Sequence, residues 1–163
     1  ELKGNSDLKL QSTLIKKASE GDAAAKAEIA LPVYIFNIDG QDVPVVPCYG
    51  AGLWGPIWGY LAFEGDMNTI EGAVFDHKGE APGLGAEIAT NWFRNNFTGK
   101  KIYNAEGEFT SVKVVKGGAA EDDINGVDAI SGGTITSQAL EKAIKSWLEA
   151  YVPYFETLKA VEE

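Results

Sequence analysis

The run Asp128-Ala129-Ile130-Ser131-Gly132-Gly133-Thr134-Ile135-Thr136-Ser137 constrains this chain more than any other segment. A turn rich in glycine and hydroxyls opens onto a stretch in which Leu140, Ile144, Trp147, Leu148 and Tyr151 recur at helical spacing. The apolar stripe anchors a helix, and the N–H groups at its start are left without intrahelical partners at the positive end of the helix dipole. Such an end seats a phosphate or another anion. Gly132 and Gly133 let the backbone approach a ligand closely and take positive φ. Read alone, the segment is more simply a helix N-cap preceded by a glycine turn, because Ser and Thr are common caps. The residues give an anion seat and stop short of naming the anion.

Two further segments change that balance. One is Tyr49-Gly50-Ala51-Gly52-Leu53-Trp54-Gly55-Pro56-Ile57-Trp58-Gly59-Tyr60, and the other is Phe75-Asp76-His77-Lys78-Gly79-Glu80-Ala81-Pro82-Gly83-Leu84-Gly85. The run from Asp128 to Thr134 resembles the flavinylation motif Asp-x-x-Ser/Thr-Gly-Ala-Thr. That motif marks the FMN-binding domains of the C subunit of the sodium-translocating NADH:quinone reductase and of the G subunit of the related Rnf complexes. The other two segments resemble the Gly-Leu-Trp-Gly-Pro-x-x-Gly-Tyr and His-x-x-Glu-Thr-Pro-Gly-Leu-Gly blocks of the C subunit. All three stand in the family's order, from about Leu31 to about Tyr154. Two departures stand out: Gly133 occupies the family's alanine position, and Ala81 its usual threonine position.

The resemblance implies an electron-transfer subunit that carries FMN covalently. A flavin transferase esterifies the last threonine of the motif with the phosphate of FMN, and by position that residue is Thr134. Leu53, Trp54, Glu80, Ala81, Pro82, Gly83, Leu84 and Gly85 are expected to form the ring site. Ser131, Gly132 and Gly133 hold the phosphate end with Thr134, Asp128 belongs to the site read by the transferase, and Lys116 reaches the ribityl or ring oxygens. The whole complex is an enzyme of the ubiquinone-reducing type, whereas the domain itself is an electron carrier without catalytic acids, bases or metal. Its partners are the other membrane subunits of the reductase, on the extracytoplasmic side of the bacterial inner membrane. The family carries one N-terminal membrane helix just ahead of such a segment, so the resemblance implies that the anchor has been removed here. Two readings stand beside this one: an Rnf-type G subunit or free-standing flavinylated carrier, and a noncatalytic extracytoplasmic binding or scaffold module.

Composition bounds the same picture. With 163 residues, 45% of them hydrophobic, the chain is the size of one globular domain with a full core. A net charge of −10 argues against nucleic acid as a partner, since a polyanion needs a basic face. No window holds the about 18 consecutive apolar residues of a membrane helix.

Period and turn signals predict an α+β domain with a largely antiparallel sheet, a few packed helices and a C-terminal amphipathic helix. Residues 1–30 read as a leading segment of one or two short helices broken at Gly21, and residues 31–163 as the FMN-binding domain. Strands are expected at 33–38 and 43–48 around an Asp39-Gly40 hairpin turn, at 57–63 and 69–75, and at 102–104 and 109–115. A helix is expected at 86–95, with Ile88, Trp92 and Phe93 as its apolar face.

The remaining candidates have plainer readings. Gly83-Leu84-Gly85 does not continue into a nucleotide fingerprint, because Ile88 stands where the last glycine is required. His77, the only histidine, lies among Asp76, Lys78 and Glu80 and reads as a polar loop residue rather than a metal ligand. Cys48 has no second thiol and reads as a small buried hydrophobe. Leu53 and Trp54, taken without the resemblance, suit core packing as well as a ligand surface, and the other tyrosines and tryptophans read as core.

Overall fold

The computed structural model describes residues 7–161, so residues 1–6 of the leading segment and the last two residues of the chain lie outside the described residues. Four strands, β1 (Tyr34–Ile38), β2 (Gln41–Ala51), β3 (Pro56–Phe63) and β4 (Ile70–His77), form an antiparallel sheet in sequence order. The β1–β2 hairpin closes at Asp39 and Gly40, both with positive φ (52° and 83°), as a two-residue primed turn requires. On β3 the pattern of period two is kept throughout: Ile57, Gly59, Leu61 and Phe63 face the core, and the intervening residues are half-buried.

The β3–β4 connection is held by Asp66, whose carboxylate accepts the Asn68 and Thr69 N–H groups (2.9 and 2.8 Å) and the Thr69 hydroxyl (2.5 Å). Burial raises the Asp66 pKa, but the Thr69 and Asn68 hydrogen bonds and the Lys101 charge outweigh it and leave the carboxyl below its ordinary range.

The C-terminal helix, α4 (Thr134–Val161), packs on β2. Its stripe of Leu140, Ile144, Trp147, Leu148, Tyr151 and Phe155 is buried, and each such side chain contributes at most about 1.5–3 kcal/mol. The polar ends of the aromatics are satisfied as well: Trp147 Nε1 donates to the Tyr49 carbonyl (3.0 Å) and the Tyr151 hydroxyl to the Pro32 carbonyl (2.5 Å). Beyond Pro153 the helix continues, with Phe155 against Phe63 at 5.3 Å between ring centroids. Cys48 is fully buried beneath this layer, and burial pushes its thiol up to about 12.

Two short helices lead the chain, α1 (Leu8–Ser19) and α2 (Ala23–Glu28), capped by Asp7 and Asp22 and broken at Gly21. α1 is part of the packed structure, since Ile15 joins the core and the Ser12 hydroxyl donates to the Tyr49 carbonyl (3.3 Å).

Three local expectations are corrected. The helix expected at 86–95 is a 3-10 turn (Gly85–Ala89) followed by the five-residue α3 (Asn91–Asn95). Thr90 separates them: it is extended, and its hydroxyl donates to the Glu87 carbonyl (2.6 Å) in competition with the helical backbone. The break resets the helical phase, so Ile88 and Phe93 are buried while Trp92 is half exposed rather than core.

The expected strands at 102–104 and 109–115 do not form a hairpin ladder beyond one bridge, Tyr103 to Phe109. Beside a few backbone bonds between the segments (Asn104 N–H to the Glu108 carbonyl, Thr110 and Ser111 N–H to the Ile102 carbonyl), side-chain amides take up the outer groups: Asn68 Oδ1 accepts the Ile102 and Tyr103 N–H groups, and Asn125 Nδ2 donates to the Lys101 and Tyr103 carbonyls. The regular part of the second segment is only β5 (Lys113–Val115). It pairs in parallel with β6 (Gly126–Asp128), a strand too short to announce itself in the sequence. The architecture is α+β with a largely antiparallel sheet, and β6 delivers the chain to the glycine turn ahead of α4.

Candidate functional site

Asp128 ends β6. Its Oδ1 accepts the Ala119 N–H (2.8 Å), which folds the Lys116-Gly117-Gly118 loop against it. Ala129 is then tied to β5 by its N–H on the Val115 carbonyl (3.0 Å), and Ile130 is buried. From there the backbone reverses through Gly132 (φ 75°), and Ser137 locks the reversal. The buried Ser137 hydroxyl donates to the Gly133 carbonyl (2.8 Å) and accepts the Ile130 N–H (3.1 Å). α4 starts at Thr134, and among the described residues the N–H groups of Thr134, Ile135 and Thr136 have no acceptor within the chain. This is the free donor set that the sequence calls for.

A second wall comes from the turn after β4. Pro82 and Gly83 (φ 73°) occupy the central positions of a turn closed by the Leu84 N–H on the Ala81 carbonyl (3.1 Å), the residue pattern of a type II turn. A third comes from the β2–β3 loop, where the Gly52 N–H meets the Gly55 carbonyl (2.8 Å) and presents Leu53 and Trp54 outward.

Glu80 joins all three walls. Its side chain is buried, with Oε1 accepting the Trp54 N–H (2.9 Å) and Oε2 accepting the Thr136 hydroxyl (2.6 Å). Space for that carboxylate depends on glycine. A Cβ on Gly85 would lie 2.5 Å from both Glu80 Oε2 and Thr136 Oγ1, and one on Gly52 would collide with Oε1.

Between the walls lies a pocket of about 270 Å³. Leu53 and Trp54 line it from one loop, Glu80, Ala81, Leu84 and Gly85 from the second, and residues 132–136 from the helix start. The rim is apolar and open: Trp54 is 68% exposed and Ile135 60%, with Leu53 and Leu84 near one half. Core packing for Leu53 and Trp54 is therefore set aside.

Most residues singled out in the sequence converge here. Others stand outside the lining: Pro82 and Gly83 are exposed on their turn, Ser131 is exposed ahead of Gly132, and Asp128 and Lys116 belong to the neighbouring loop. Ile135 and Thr136 line the pocket and Ser137 braces its turn, roles that the sequence does not assign although all three stand in the run that opens the helix. The only signal for Thr136 is the need of a buried Glu80 for a donor, and spacing alone cannot locate a partner 56 positions away. His77 is more than a polar loop residue, since its Nδ1 accepts the Glu80 N–H (3.1 Å).

Known proteins resemble this chain across the region that holds the pocket. The family model described as "FMN-binding domain" matches residues 52–149. The C subunit of the Na(+)-translocating NADH-quinone reductase of Vibrio alginolyticus is 33% identical over 142 residues, covering 87% of this chain and 55% of the relative. The protein of the same name from Neisseria meningitidis serogroup B is 35% identical over 156 residues, covering 92% and 59%. This chain thus spans less than two thirds of the length of these curated relatives. Among solved structures, the C subunit of the same reductase from Parabacteroides distasonis superposes with a TM-score of 0.74 at 48% identity, covering 81% of this chain and 66% of that one. Shewanella oneidensis NqrC superposes with a TM-score of 0.73 at 39% identity, covering 81% and 62%. With a glycine turn, a free helix start and an apolar rim meeting in one pocket inside the matched region, the chain belongs to the FMN-binding domain family.

Proposed function

We propose that this chain holds FMN through a phosphoester to Thr134 and carries electrons as the C-type subunit of a sodium-translocating NADH:quinone reductase. One contrast carries the reading. Two threonines at the start of α4 line the pocket, and they are not equivalent. The Thr136 hydroxyl is buried and donates to Glu80, whereas Thr134 is half-buried and its hydroxyl has no hydrogen-bond partner among the described residues. Thr134 is thus the hydroxyl free to become an ester, beside three backbone N–H groups without acceptors.

The residues present fit FMN. A pocket of about 270 Å³ is just below the ~300 Å³ from which sites enclose a drug-sized ligand. It suits a cofactor held at one end and partly exposed at the other. When bound, FMN supplies the redox chemistry at its ring system, and the protein supplies placement and electrostatics. Leu53, Trp54 and Leu84 exclude water from one side of the ring, which alters the relative stability of its charged and neutral forms. The free N–H groups of residues 134–136 hold the phosphate end.

Attachment would form a P–O bond between Thr134 Oγ and the flavin's phosphorus, break the bond from that phosphorus to the leaving oxygen of an activated flavin donor held by the transferase, and pass the hydroxyl proton to that leaving group, so that the protein gains the mass of one FMN less one water. A flavin transferase performs it, reading the turn that Asp128 and Ser131 introduce. Residues 31–163 form the FMN-binding unit, and residues 1–30 are a leading segment that includes α1 and α2. The partners are the membrane subunits of the reductase on the extracytoplasmic side of the bacterial inner membrane, and electrons cross at the Trp54, Leu84 and Ile135 rim. The names of the relatives favour the C-type subunit over an Rnf-type G subunit.

The test is the visible absorption of this chain produced with and without the transferase, recorded before and after denaturation. Flavin absorption that stays with the denatured polypeptide only when the transferase is present supports the proposal. Absorption lost on denaturation removes the ester, and absence of flavin in both preparations returns the chain to a binding or scaffold module.

A further inference from the structure

We propose that His77 is a positioning residue for the pocket, acting through Glu80. β4 ends at His77, and the last sheet-edge bond is the Lys78 N–H to the Pro56 carbonyl (3.1 Å). After it, the chain passes through Lys78 and Gly79, both exposed, before reaching the buried Glu80. Across that exposed step the His77 ring provides the tie, its Nδ1 accepting the Glu80 N–H (3.1 Å), while the His77 backbone N–H donates to Asp76 Oδ1 (2.8 Å). The imidazole therefore sets where the Glu80 backbone sits.

Position at Glu80 is transmitted in two directions. One carboxylate oxygen accepts from Trp54 N–H in the β2–β3 loop, and the other from the Thr136 hydroxyl in the first turn of α4. Each partner is in a wall of the pocket, and neither is in contact with His77 through any hydrogen bond of its own among the described residues. Gly52 and Gly85 leave the carboxylate only a slot, so a displaced Glu80 backbone cannot be absorbed by swinging the side chain into free space. Both walls move with it.

The arrangement also specifies the ring. An Nδ1 that accepts an N–H carries no proton, so the neutral imidazole holds its proton on Nε2. What the position requires is an acceptor at the place of Nδ1, which an asparagine Oδ1 also provides and leucine does not. His77 contacts no group that reacts, and its role is to orient.

The experiment uses this chain without flavin and, separately, with it. In the flavin-free protein, nitrogen-15 NMR is expected to show the His77 ring as the Nε2–H tautomer. His77→Leu is expected to displace the amide signals of Trp54 and Thr136, and His77→Asn to leave them at their original positions. An Nδ1–H tautomer overturns the proposal, as does a His77→Leu spectrum unchanged at Trp54 and Thr136; the tautomer is read in the unaltered protein and does not depend on either variant folding. In the flavinylated protein, His77→Leu is expected to shift the flavin potential and visible circular dichroism, with His77→Asn restoring both. This second arm rests on the FMN reading, and the first does not, so a protein that carries no flavin while keeping the predicted tautomer and amide shifts sinks that reading and leaves His77 as a positioning residue. Flavin signals that are the same in all three proteins overturn the role of His77 at the cofactor.

Discussion

Thr136 Oγ1 and Glu80 Oε2 lie 2.6 Å apart, joining the first turn of α4 to the turn that follows β4, and the contact is buried on both sides. Removing the donor leaves a buried carboxylate oxygen without one of its partners. Thr136→Val is therefore expected to lower unfolding stability by about 1–3 kcal/mol in urea titration. Flavin attachment should persist, because the hydroxyl proposed to carry it is two residues away. An unchanged urea midpoint would show that water replaces the threonine at no cost.

Gly133 stands where the family's motif has alanine, and the structure gives that difference a sign. A Cβ added there would sit 2.8 Å from Ile130 Cγ2 and 3.0 Å from the Leu84 carbonyl. One neighbour is a core side chain and the other is backbone, so neither yields freely. Gly133→Ala should destabilise this chain by about 1–3 kcal/mol, as overpacking does. Equal or higher stability on thermal unfolding would mean that the turn relaxes around alanine as it does in the relatives' motif.

Trp54 offers the opposite case, a large aromatic that the fold does not need. At 68% exposure it contributes little burial, and its one hydrogen bond to Glu80 uses the backbone N–H. Trp54→Ala should change stability by no more than about 0.5 kcal/mol. The flavin spectrum or potential should nevertheless shift, and electron transfer in the assembled complex should slow at full FMN content. Unchanged spectra and rates in both Trp54→Ala and Leu84→Ala would take this rim out of the electron path.

What the sequence makes readable, and what it hides, follows from the range of the interactions involved. The stripe from Leu140 to Tyr151 and the alternation along β3 are visible because one element buries one face at a fixed period. The walls of the pocket are placed by three short motifs whose order matches a known family. Glu80, by contrast, gives no sign that it joins Trp54 to Thr136, because a side-chain contact over such separations leaves no periodicity. The segment from Ile102 to Val112 fails as a pair of strands for a similar reason. Asn68 and Asn125 satisfy its backbone from a distance, and an isolated asparagine reads in sequence only as a turn former.

Cys48 tests the core instead of the site. Burial raises its thiol from an ordinary 9.0 to about 12, so the folded protein holds the proton more tightly than the unfolded chain. The associated stabilisation is complete below pH 9 and is lost as pH rises from there toward about 12. At pH 8 a thiol reagent should modify native protein at a negligible rate and unfolded protein at the rate of a free cysteine. Prompt modification of the native protein would show that α4 opens from β2 far more often than its packed stripe implies.

Thr134 carries the central claim, and intact mass tests it most directly. After coproduction with a flavin transferase, the unaltered chain and Thr136→Ala should both gain the mass of one FMN less one water, and Thr134→Ala should gain nothing. Thr134→Ala should also fold, since no hydrogen bond of the described structure depends on its hydroxyl. A full mass gain in Thr134→Ala, with its loss in Thr136→Ala, would place the ester on the buried hydroxyl and contradict the account.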